Sequence, residues 1–371
     1  MKIVISSNST WNIYNFRYKL LITLIKEGHS IIIISSSDKY KNFLLDIGCR
    51  FINLNINSNK ISIYNDIKLL IGYFRILKLE KPDFYLSFTI KPNIYGGFIS
   101  RLLGIKRISN ITGLGKSFIE KSFLKNIVIF LYLISLKKTY QIFFHNNDDL
   151  LLFNKLNIST LNNSDILPGS GININQYLYT PSINNENINL TFLYLGRVRW
   201  DKGIKELIKV IPLIKKKYKK INFQILGSVD SKNPDFVSLE YLEKWTKEGL
   251  IEYLGESENV RKYIVKSDCV ILLSYREGLP KSLLEASAIG RPLIASNVPG
   301  RNRIVKNKIN GYLCELDDIN DIYQKIINFI NLDFNDKIKM GLNANILAKK
   351  KFNDEIVIDK YLKIVNNVIK K

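Results

Sequence analysis

Residues 268–285 read D-C-V-I-L-L-S-Y-R-E-G-L-P-K-S-L-L-E, an apolar run followed by a turn and a helix-forming segment. The run from Asp268 to Ser274 predicts a buried strand. Pro280 suits the first turn of the helix that follows, because its fixed φ matches the helix and its missing N–H is not needed there. Strand, turn and helix in this order indicate an open α/β fold, in which ligands bind at the carboxyl edge of the sheet.

Two carboxylates, Glu277 and Glu285, stand eight positions apart around this turn. The strand brings Glu277 to the edge of the sheet, and Glu285 is predicted about two turns along the helix. The free amides of the helix start suit a phosphate, while the carboxylates suit sugar hydroxyls. The spacing therefore fits a nucleotide sugar, with a solvated acidic helix face as the alternative.

A second apolar strand, Leu190 to Leu195, runs into the cationic turn G-R-V-R-W-D-K-G at residues 196–203. A helix-period stretch follows it, so the layout is again strand, turn and helix. Arg197 and Lys202 fit a diphosphate, because fixed cations stabilise the charge that develops on a phosphate leaving group. Surface charge is the alternative for either residue alone.

The two segments together resemble the retaining family 4 glycosyltransferases of GT-B fold, whose carboxy-terminal domain carries G-R-x4-K-G and then E-x7-E. Further stretches that resemble this family are Ile225–Gly227, Tyr253–Gly255, Ala286–Pro292 and Asn310–Leu313. In the first half, Thr89–Gly96 and Ile111–Gly115 resemble the bacterial subgroup that builds surface polysaccharides and lipid-linked oligosaccharides. The resemblance covers the whole second half and parts of the first.

The resemblance implies roles in the second half of the chain. Glu277 contacts the donor sugar, Arg197 and Lys202 bind the diphosphate and stabilise the leaving nucleotide, and Glu285 binds the ribose. Arg199 is unmatched in the pattern and is expected to be solvated. The other donor-binding residues implied are Gly278, Leu279, Pro280 and Lys281 at the sugar, Tyr253 and Leu254 at the base, and Gly227, where the chain approaches the nucleotide closely.

The acceptor is expected to meet the first half. Many family members place a histidine there near the anomeric carbon, but this chain departs from them, since it has only His29 and His145. His29 is interpreted as structural, and His145 either faces the cleft or is packed. Lys91 and Asn93 stand where the family histidine is expected. The full set of acceptor candidates is Asn15, Arg17, Lys91, Asn93, Gly113, Gly115 and His145.

Composition also limits the number of domains, the kind of partner and the compartment. Its 371 residues, 46% of them hydrophobic, suffice for two domains with sizeable cores. A formal net charge of +22 suggests an anionic partner, which is a phosphorylated substrate, an acidic lipid or nucleic acid. Three widely spaced cysteines argue against a disulfide framework or a zinc site and favour the cytoplasm. The first turn lacks the G-x-G-x-x-G of a dinucleotide cofactor site.

Strand-like runs alternate with helix-period segments along both halves, which predicts two Rossmann-like, doubly wound parallel sheets facing a cleft. Their strands are predicted at Lys2–Ile5, Ser30–Ser35, Phe84–Phe88, Arg107–Ile111 and Gln141–His145, then Leu190–Leu195, Asn222–Leu226, Ile251–Leu254, Asp268–Ser274, Pro292–Ser296 and Gly311–Cys314. The predicted domains are residues 1–172 and 189–352, with a connection at 173–188. A terminal helix at 353–371 either packs back on the first domain or caps the second.

The longest apolar stretch, Asn126 to Leu136, is too short to span a membrane and is bracketed by lysines. It is either a buried core helix or a helix at the membrane interface, with its lysines toward anionic headgroups. The second interpretation suits enzymes that act on polyprenyl-linked acceptors. It predicts a cytoplasmic protein that is peripheral on the inner face of the cytoplasmic membrane.

The function predicted is retaining transfer of a hexose or N-acetylhexosamine from a UDP-sugar to a polyprenyl-diphosphate-linked glycan intermediate. No cofactor and no divalent metal are expected, because neither a suitable D-x-D nor a ligand cluster occurs and Arg197 with Lys202 can replace the metal. A GT-B nucleotide-sugar epimerase is one alternative. The other is a basic non-enzymatic module for membrane or RNA, although no run of interleaved aromatic and basic residues marks a nucleic-acid surface.

Overall fold

The computed structural model describes residues 1–56, 62–114, 123–181, 189–231 and 233–369. They form two compact units, Met1–Ser170 together with Asp354–Lys371, and Gly171–Asn353. Each unit is built around a parallel sheet.

The strands of the first unit are β1 (Lys2–Ser9), β2 (Ser30–Ser36), β3 (Arg50–Asn53), β4 (Phe84–Phe88), β5 (Lys106–Ile111), β6 (Gln141–Phe144) and β7 (Ser164–Ile166). In the described part of this unit they form one sheet in the order β3-β2-β1-β4-β5-β6-β7, with every neighbouring pair parallel. The helices between them are α1 (Thr10–Lys26), α2 (Lys41–Asp46), α3 (Ile63–Glu80), α4 (Gly97–Leu102), α5 (Phe123–Leu136) and α6 (Asn147–Lys155), with a π-helical turn at Pro92–Gly96.

Helices cover both faces of this sheet. Ile3 and Ile5 of β1 pack in one apolar cluster with Leu21 of α1, whereas Val4 packs in another with Tyr73 of α3. Successive strand residues point to opposite faces, so a strand that is covered on both sides needs a continuous apolar run. The sequence I-V-I in β1 supplies it.

The strands of the second unit are β8 (Leu190–Leu195), β9 (Ile221–Leu226), β10 (Glu252–Tyr253), β11 (Cys269–Leu272), β12 (Leu293–Ser296) and β13 (Gly311–Cys314). They form a parallel sheet in the order β10-β9-β8-β11-β12-β13. The helices are α7 (Ile204–Lys217), α8 (Leu239–Lys247), α9 (Arg261–Lys266), α10 (Lys281–Ile289), α11 (Arg301–Ile304), α12 (Ile319–Ile330) and α13 (Phe334–Phe352). The prediction of two Rossmann-like parallel sheets is confirmed.

The segment predicted as a connection, residues 173–188, is partly domain structure. The second unit already begins at Gly171, and the backbone N–H of Ile172 donates to the Phe352 carbonyl at 2.8 Å. Tyr177 is buried in the core of this unit. The polar, aperiodic sequence of this segment thus contains an aromatic side chain, Tyr177, that packs in the core of the second unit. Residues 182–188 lie outside the described part.

The terminal helix α14 (Asp354–Ile369) packs on the first unit, which is one of the two positions that the sequence left open. Its Tyr361 is fully buried, with its ring centroid 5.2 Å from that of Phe143. At the helix start, Asp354 Oδ1 lies 2.6 Å from Lys19 Nζ of α1. Apolar packing and an ion pair thus hold the chain end against the amino-terminal half.

Helix α5 has two faces. Tyr132 and Leu136 are buried in a cluster of the first unit, whereas Ile127 and Phe130 are exposed, Phe130 by 59%. The helix is thus packed on one side and apolar on the other. Within the described ranges, no helix has the length and apolar character needed to traverse a bilayer.

Candidate functional site

The second sheet reverses its strand order between β8 and β11. The chain leaves β8 through α7 toward β9 on one side, and leaves β11 through α10 toward β12 on the other. The turns that follow β8 and β11, residues 196–203 and 273–280, therefore flank a crevice at the carboxyl edge, where open α/β sheets bind ligands. We call it the switch-point crevice. These turns contain the cationic G-R-x4-K-G segment and Glu277, the first residue of the E-x7-E segment.

A carboxylate–ammonium pair joins the two turns. Lys202 Nζ lies 2.5 Å from Glu277 Oε1, and Ser274 Oγ donates to the same oxygen at 3.2 Å. Both charged side chains are mostly shielded from solvent, with exposures of 13% and 20%. Two residues predicted to serve one site, 75 positions apart, are thus in direct contact.

The environment of Glu277 keeps it ionised. Burial alone would raise the pKa of this carboxyl, but the charges of Lys202 and Arg301 and the hydrogen bonds from Lys202 and Ser274 outweigh burial and lower it. An ionised carboxylate is an acceptor only, so it suits the hydroxyls of a sugar. Sequence reasoning missed Ser274 and Arg301; the only signal for Ser274 is its position at the end of the apolar run.

Gly203 brings the two turns together. Its φ is +75°, and a Cβ at this position would lie 2.1 Å from the carbonyl oxygen of Leu273. Both facts require glycine, because L side chains disfavour this backbone region and a backbone oxygen cannot turn aside. The last glycine of G-R-x4-K-G therefore lets the turn after β8 approach the end of β11.

Glu285 lies deeper in the same unit. It is the fifth residue of α10, nearer the helix start than predicted, because the helix begins at Lys281 and Pro280 is its N-cap. The Tyr177 hydroxyl donates to Glu285 Oε1 at 2.8 Å, and Lys281 Nζ lies 3.7 Å from it. Burial raises the pKa of Glu285, with Lys281 and Tyr177 partly offsetting it. Sequence reasoning missed Tyr177 because it placed that residue in a linker.

The two arginines of the turn after β8 differ. Arg197 is exposed at the mouth of the turn, and its carbonyl accepts a hydrogen bond from the Tyr194 hydroxyl at 2.7 Å. Arg199 was expected to be solvated, which is wrong: its guanidinium pairs with Asp201 at 2.9 Å and with Asp235 at 3.3 Å. Arg199 therefore fixes the turn and leaves Arg197 as the accessible cation.

The remaining donor candidates surround this edge. A Cβ at Gly227 would lie 1.7 Å from the Gly196 carbonyl oxygen, so the close approach that requires this glycine is to the protein backbone. The Tyr253 hydroxyl donates to the Gly227 carbonyl at 3.0 Å, and the Leu254 N–H donates to Ile225. These contacts connect the ends of β8, β9 and β10. Gly278 and Leu279 lie in the turn between β11 and α10.

Two acceptor candidates of the first unit are already engaged. Lys91 Nζ lies 2.7 Å from Asp66 Oδ1. Asn93 is 1% exposed; its amide donates to the Asn110 carbonyl at 2.8 Å and accepts from Ser87 Oγ at 2.7 Å. Asn93 therefore contributes to the packing of the sheet edge in this structure. The acceptor role of Lys91 and Asn93 stays a prediction.

The other acceptor candidates are distributed over the first unit. Arg17 is buried, with its guanidinium carbon 4.3 Å from the centroid of the Phe88 ring. The Asn15 side chain donates to the Trp11 carbonyl at 3.0 Å. His145 is buried after β6, and Gly113 has a φ of +146° after β5. Gly115 lies outside the described residues. The acceptor role of Arg17, Asn15, His145 and Gly113 stays a prediction.

Two family models match the chain, one on each half. The model described as "Glycosyl transferase 4-like" matches residues 2–146, and the model described as "Glycosyl transferases group 1" matches residues 181–345. The second match contains both turns of the switch-point crevice.

Curated relatives match over long stretches. The N,N'-diacetylbacillosaminyl-diphospho-undecaprenol alpha-1,3-N-acetylgalactosaminyltransferase of Campylobacter jejuni is 27% identical over the whole length of both chains. The UDP-Gal:alpha-D-GlcNAc-diphosphoundecaprenol alpha-1,3-galactosyltransferase of Escherichia coli is 26% identical, over 76% of this chain and 77% of its own. Both names specify a sugar-transfer reaction.

Solved structures share the fold over nearly the entire chain. Anabaena HepE, in complex with UDP and glucose, superposes with a TM-score of 0.79 at 15% identity, covering 99% of each chain. The sucrose-phosphate synthase of Thermosynechococcus elongatus superposes with a TM-score of 0.80 at 16% identity, covering 100% of this chain and 99% of its own. At these identities the likeness establishes the architecture alone.

Proposed function

The chain belongs to the glycosyltransferases of GT-B fold, and from this premise we propose that it moves a hexose or N-acetylhexosamine from a UDP-sugar to a polyprenyl-diphosphate-linked glycan intermediate. The observation that carries the proposal is the contact between Lys202 and Glu277 at the switch point of the second sheet. It joins a cation suited to a diphosphate to a carboxylate suited to sugar hydroxyls. The UDP and glucose in the HepE complex support a UDP-sugar as the donor.

The acceptor class is supported by the relatives. The names of the Campylobacter jejuni and Escherichia coli enzymes both specify a sugar on an undecaprenol diphosphate as the acceptor. The first of them aligns along the full length of both chains. A lipid-linked glycan in polysaccharide, O-antigen or glycoprotein glycan assembly is therefore the substrate class proposed here.

The proposed chemistry is transfer with retention. The bond from the anomeric carbon to the diphosphate breaks as an acceptor hydroxyl attacks the same face, and the hydroxyl proton passes to the leaving phosphate. Arg197 and Lys202 stabilise the charge on that leaving group, while Glu277 holds the sugar and Glu285 the ribose. With these two cations at the diphosphate, we propose that the reaction needs no divalent metal.

The test is a transfer assay with a panel of UDP-sugars and lipid-diphosphate-linked acceptors, with and without EDTA. We expect acceptor-dependent nucleotide release and a sugar-lipid product that survive EDTA. Glu277→Gln should lower kcat/KM by about a hundredfold or more, because a hydrogen-bonded charge is lost from the sugar site. Glu240→Gln, at an exposed position of α8, is the matched control and should match wild type.

Three results would contradict parts of this proposal. Interconversion of the donor without an acceptor would indicate an epimerase. Loss of activity with EDTA that Mg²⁺ restores would contradict metal independence. No turnover and no nucleotide binding across the panel would overturn the transferase proposal.

We also propose that the protein lies on the anionic inner face of the cytoplasmic membrane through α5. The exposed Ile127 and Phe130 form an apolar strip on this helix, and the exposed Lys137 and Lys138 follow its end. Apolar side chains in the acyl boundary with lysines at the headgroups is the arrangement of an interfacial helix. A protein in this position would be close to an acceptor that is anchored in the membrane by its lipid.

Vesicle sedimentation tests the membrane proposal. The double variant Ile127→Ser/Phe130→Ser should bind vesicles containing phosphatidylglycerol about tenfold more weakly than wild type, because it removes the apolar contact. Leu79→Ser changes an exposed leucine of α3 in the same unit and should bind like wild type. Equal binding of all three proteins, or equal binding to neutral and anionic vesicles, would argue against α5 as the contact.

A further inference from the structure

Arg301 is a buried cation that neither sequence motif assigns. It is the first residue of α11 and has no exposed surface. Within the described part of the chain, its Nε, Nη1 and Nη2 atoms have no hydrogen-bond partner. A buried guanidinium without acceptors is costly, so its presence calls for an explanation.

Two other enclosed arginines show what ordinary burial looks like in this protein. Arg291 donates to the carbonyls of Ile264 at 3.0 Å and Val265 at 2.8 Å. Arg107 donates to Thr139 Oγ1 at 3.0 Å and to a backbone carbonyl. Both arginines link secondary-structure elements through satisfied hydrogen bonds. Among the residues that the structure describes, Arg301 makes no comparable contact, so a purely structural role does not account for it.

The position of Arg301 points to the switch-point crevice. The preceding residue, Gly300, has a φ of +90°, and a Cβ there would lie 2.0 Å from the carbonyl oxygen of Gly278 and 3.4 Å from that of Glu277. The start of α11 is therefore packed directly against the turn that carries Glu277. The Glu277 carboxylate is also the leading electrostatic partner of the Arg301 guanidinium.

The charge balance around Glu277 gives Arg301 a possible task when a diphosphate binds. In this structure, Lys202 forms an ion pair with Glu277. A donor diphosphate would bring a negative charge on each phosphate and would attract Lys202. Glu277 would then face an anion in a poorly solvated crevice, with Ser274 as its remaining hydrogen-bond donor.

We propose that Arg301 is a positioning residue of the donor site, whose guanidinium balances and orients the Glu277 carboxylate once the donor diphosphate has drawn Lys202 away. The proposal rests on the proposed function, since it presumes a diphosphate-bearing donor. It assigns Arg301 no direct contact with the substrate. Its effect on transfer passes through Glu277.

A double-mutant cycle tests this directly. Arg301→Gln should lower kcat/KM for the donor by roughly tenfold to a hundredfold in the wild-type background, and by less than about twofold in a Glu277→Gln background, because the group that it acts on is then uncharged. Arg301→Lys, which keeps the charge, should retain most of the activity. Lys306→Gln removes an exposed cation soon after the same helix and should be neutral in both backgrounds.

Each other result overturns the inference. Equal losses in both backgrounds would mean that Arg301 acts independently of Glu277, and an Arg301→Gln protein as active as Lys306→Gln would mean that it has no part. If Arg301→Gln does not fold, as judged by thermal unfolding, Arg301→Lys decides, and activity as low as that of Glu277→Gln contradicts the proposal. Calorimetric titration with UDP distinguishes failure of the proposed function from failure of this inference alone. Wild-type protein that binds no UDP overturns the proposed function and this inference with it.

Discussion

Lys202→Met is expected to lower kcat for sugar transfer by about a hundredfold to a thousandfold. The substitution keeps the bulk of the side chain and removes the ammonium that lies 2.5 Å from Glu277 and is proposed to stabilise the leaving diphosphate. It acts twice, because it also leaves the Glu277 carboxylate buried with one fewer cation. Steady-state kinetics at saturating donor and acceptor would measure the loss.

The pH dependence of the same variant has a defined sign. Lys202 lowers the pKa of Glu277 in the folded protein, so its removal raises that pKa. Glu277 acts as the ionised form, which is lost as the pH falls through its pKa. The residual activity of Lys202→Met should therefore begin to fall at a higher pH than that of wild type.

Lys205→Ala is the control for Lys202→Met, since Lys205 lies three residues along and is exposed. It should leave both kcat and the acid limb unchanged. A Lys202→Met enzyme with wild-type kcat, or one whose acid limb does not move, would contradict the assignment of Lys202 to the leaving group or its coupling to Glu277.

The core of the site could be predicted from the sequence because its chemistry is local. An apolar run that ends in a turn fixes a strand end, and the strand end fixes where Glu277 and Lys202 emerge. The contact between these two side chains then follows from the sheet order, since β8 and β11 are neighbours. Strands with long apolar runs were predicted for the same reason.

Short edge strands could not be predicted in this way. Arg50–Asn53 and Ser164–Ile166 are the outer strands of the first sheet, and their residues are only partly buried or exposed. An edge strand that is partly open to solvent needs no apolar run, so no pattern marks it. Its pairing depends on a neighbour that is distant in sequence.

Side chains that act through distant partners were missed for a related reason. Tyr177 contacts Glu285 across 108 positions, and Arg301 stands out because its nitrogens have no hydrogen-bond partner among the residues that the structure describes. Neither property can be inferred from the neighbouring residues in the sequence. Arg199 was likewise expected to be solvated; its partner Asp201 is two positions away, but its second partner, Asp235, lies 36 positions away and comes beside it only after folding.

Gly203→Ala is expected to be the most destabilising single substitution in the turn after β8, residues 196–203. It should lower the free energy of unfolding by about 3 kcal/mol or more. Two costs add. An alanine at φ +75° carries the penalty of the left-handed region, about 1–2 kcal/mol. Its Cβ would also lie 2.1 Å from the Leu273 carbonyl oxygen, and relief of that clash requires the backbone after β8 to move away from β11.

Gly249→Ala separates these two costs. Gly249 lies in the same unit with a φ of +68°, and a Cβ there would meet no atom within 4 Å. Urea unfolding should therefore show a loss of about 1–2 kcal/mol for Gly249→Ala and a clearly larger one for Gly203→Ala. Transfer activity should follow the same order, because the movement that relieves the clash also separates Lys202 from Glu277. Equal losses of stability, or full activity in a folded Gly203→Ala protein, would show that the close approach at Gly203 does not hold the two turns together.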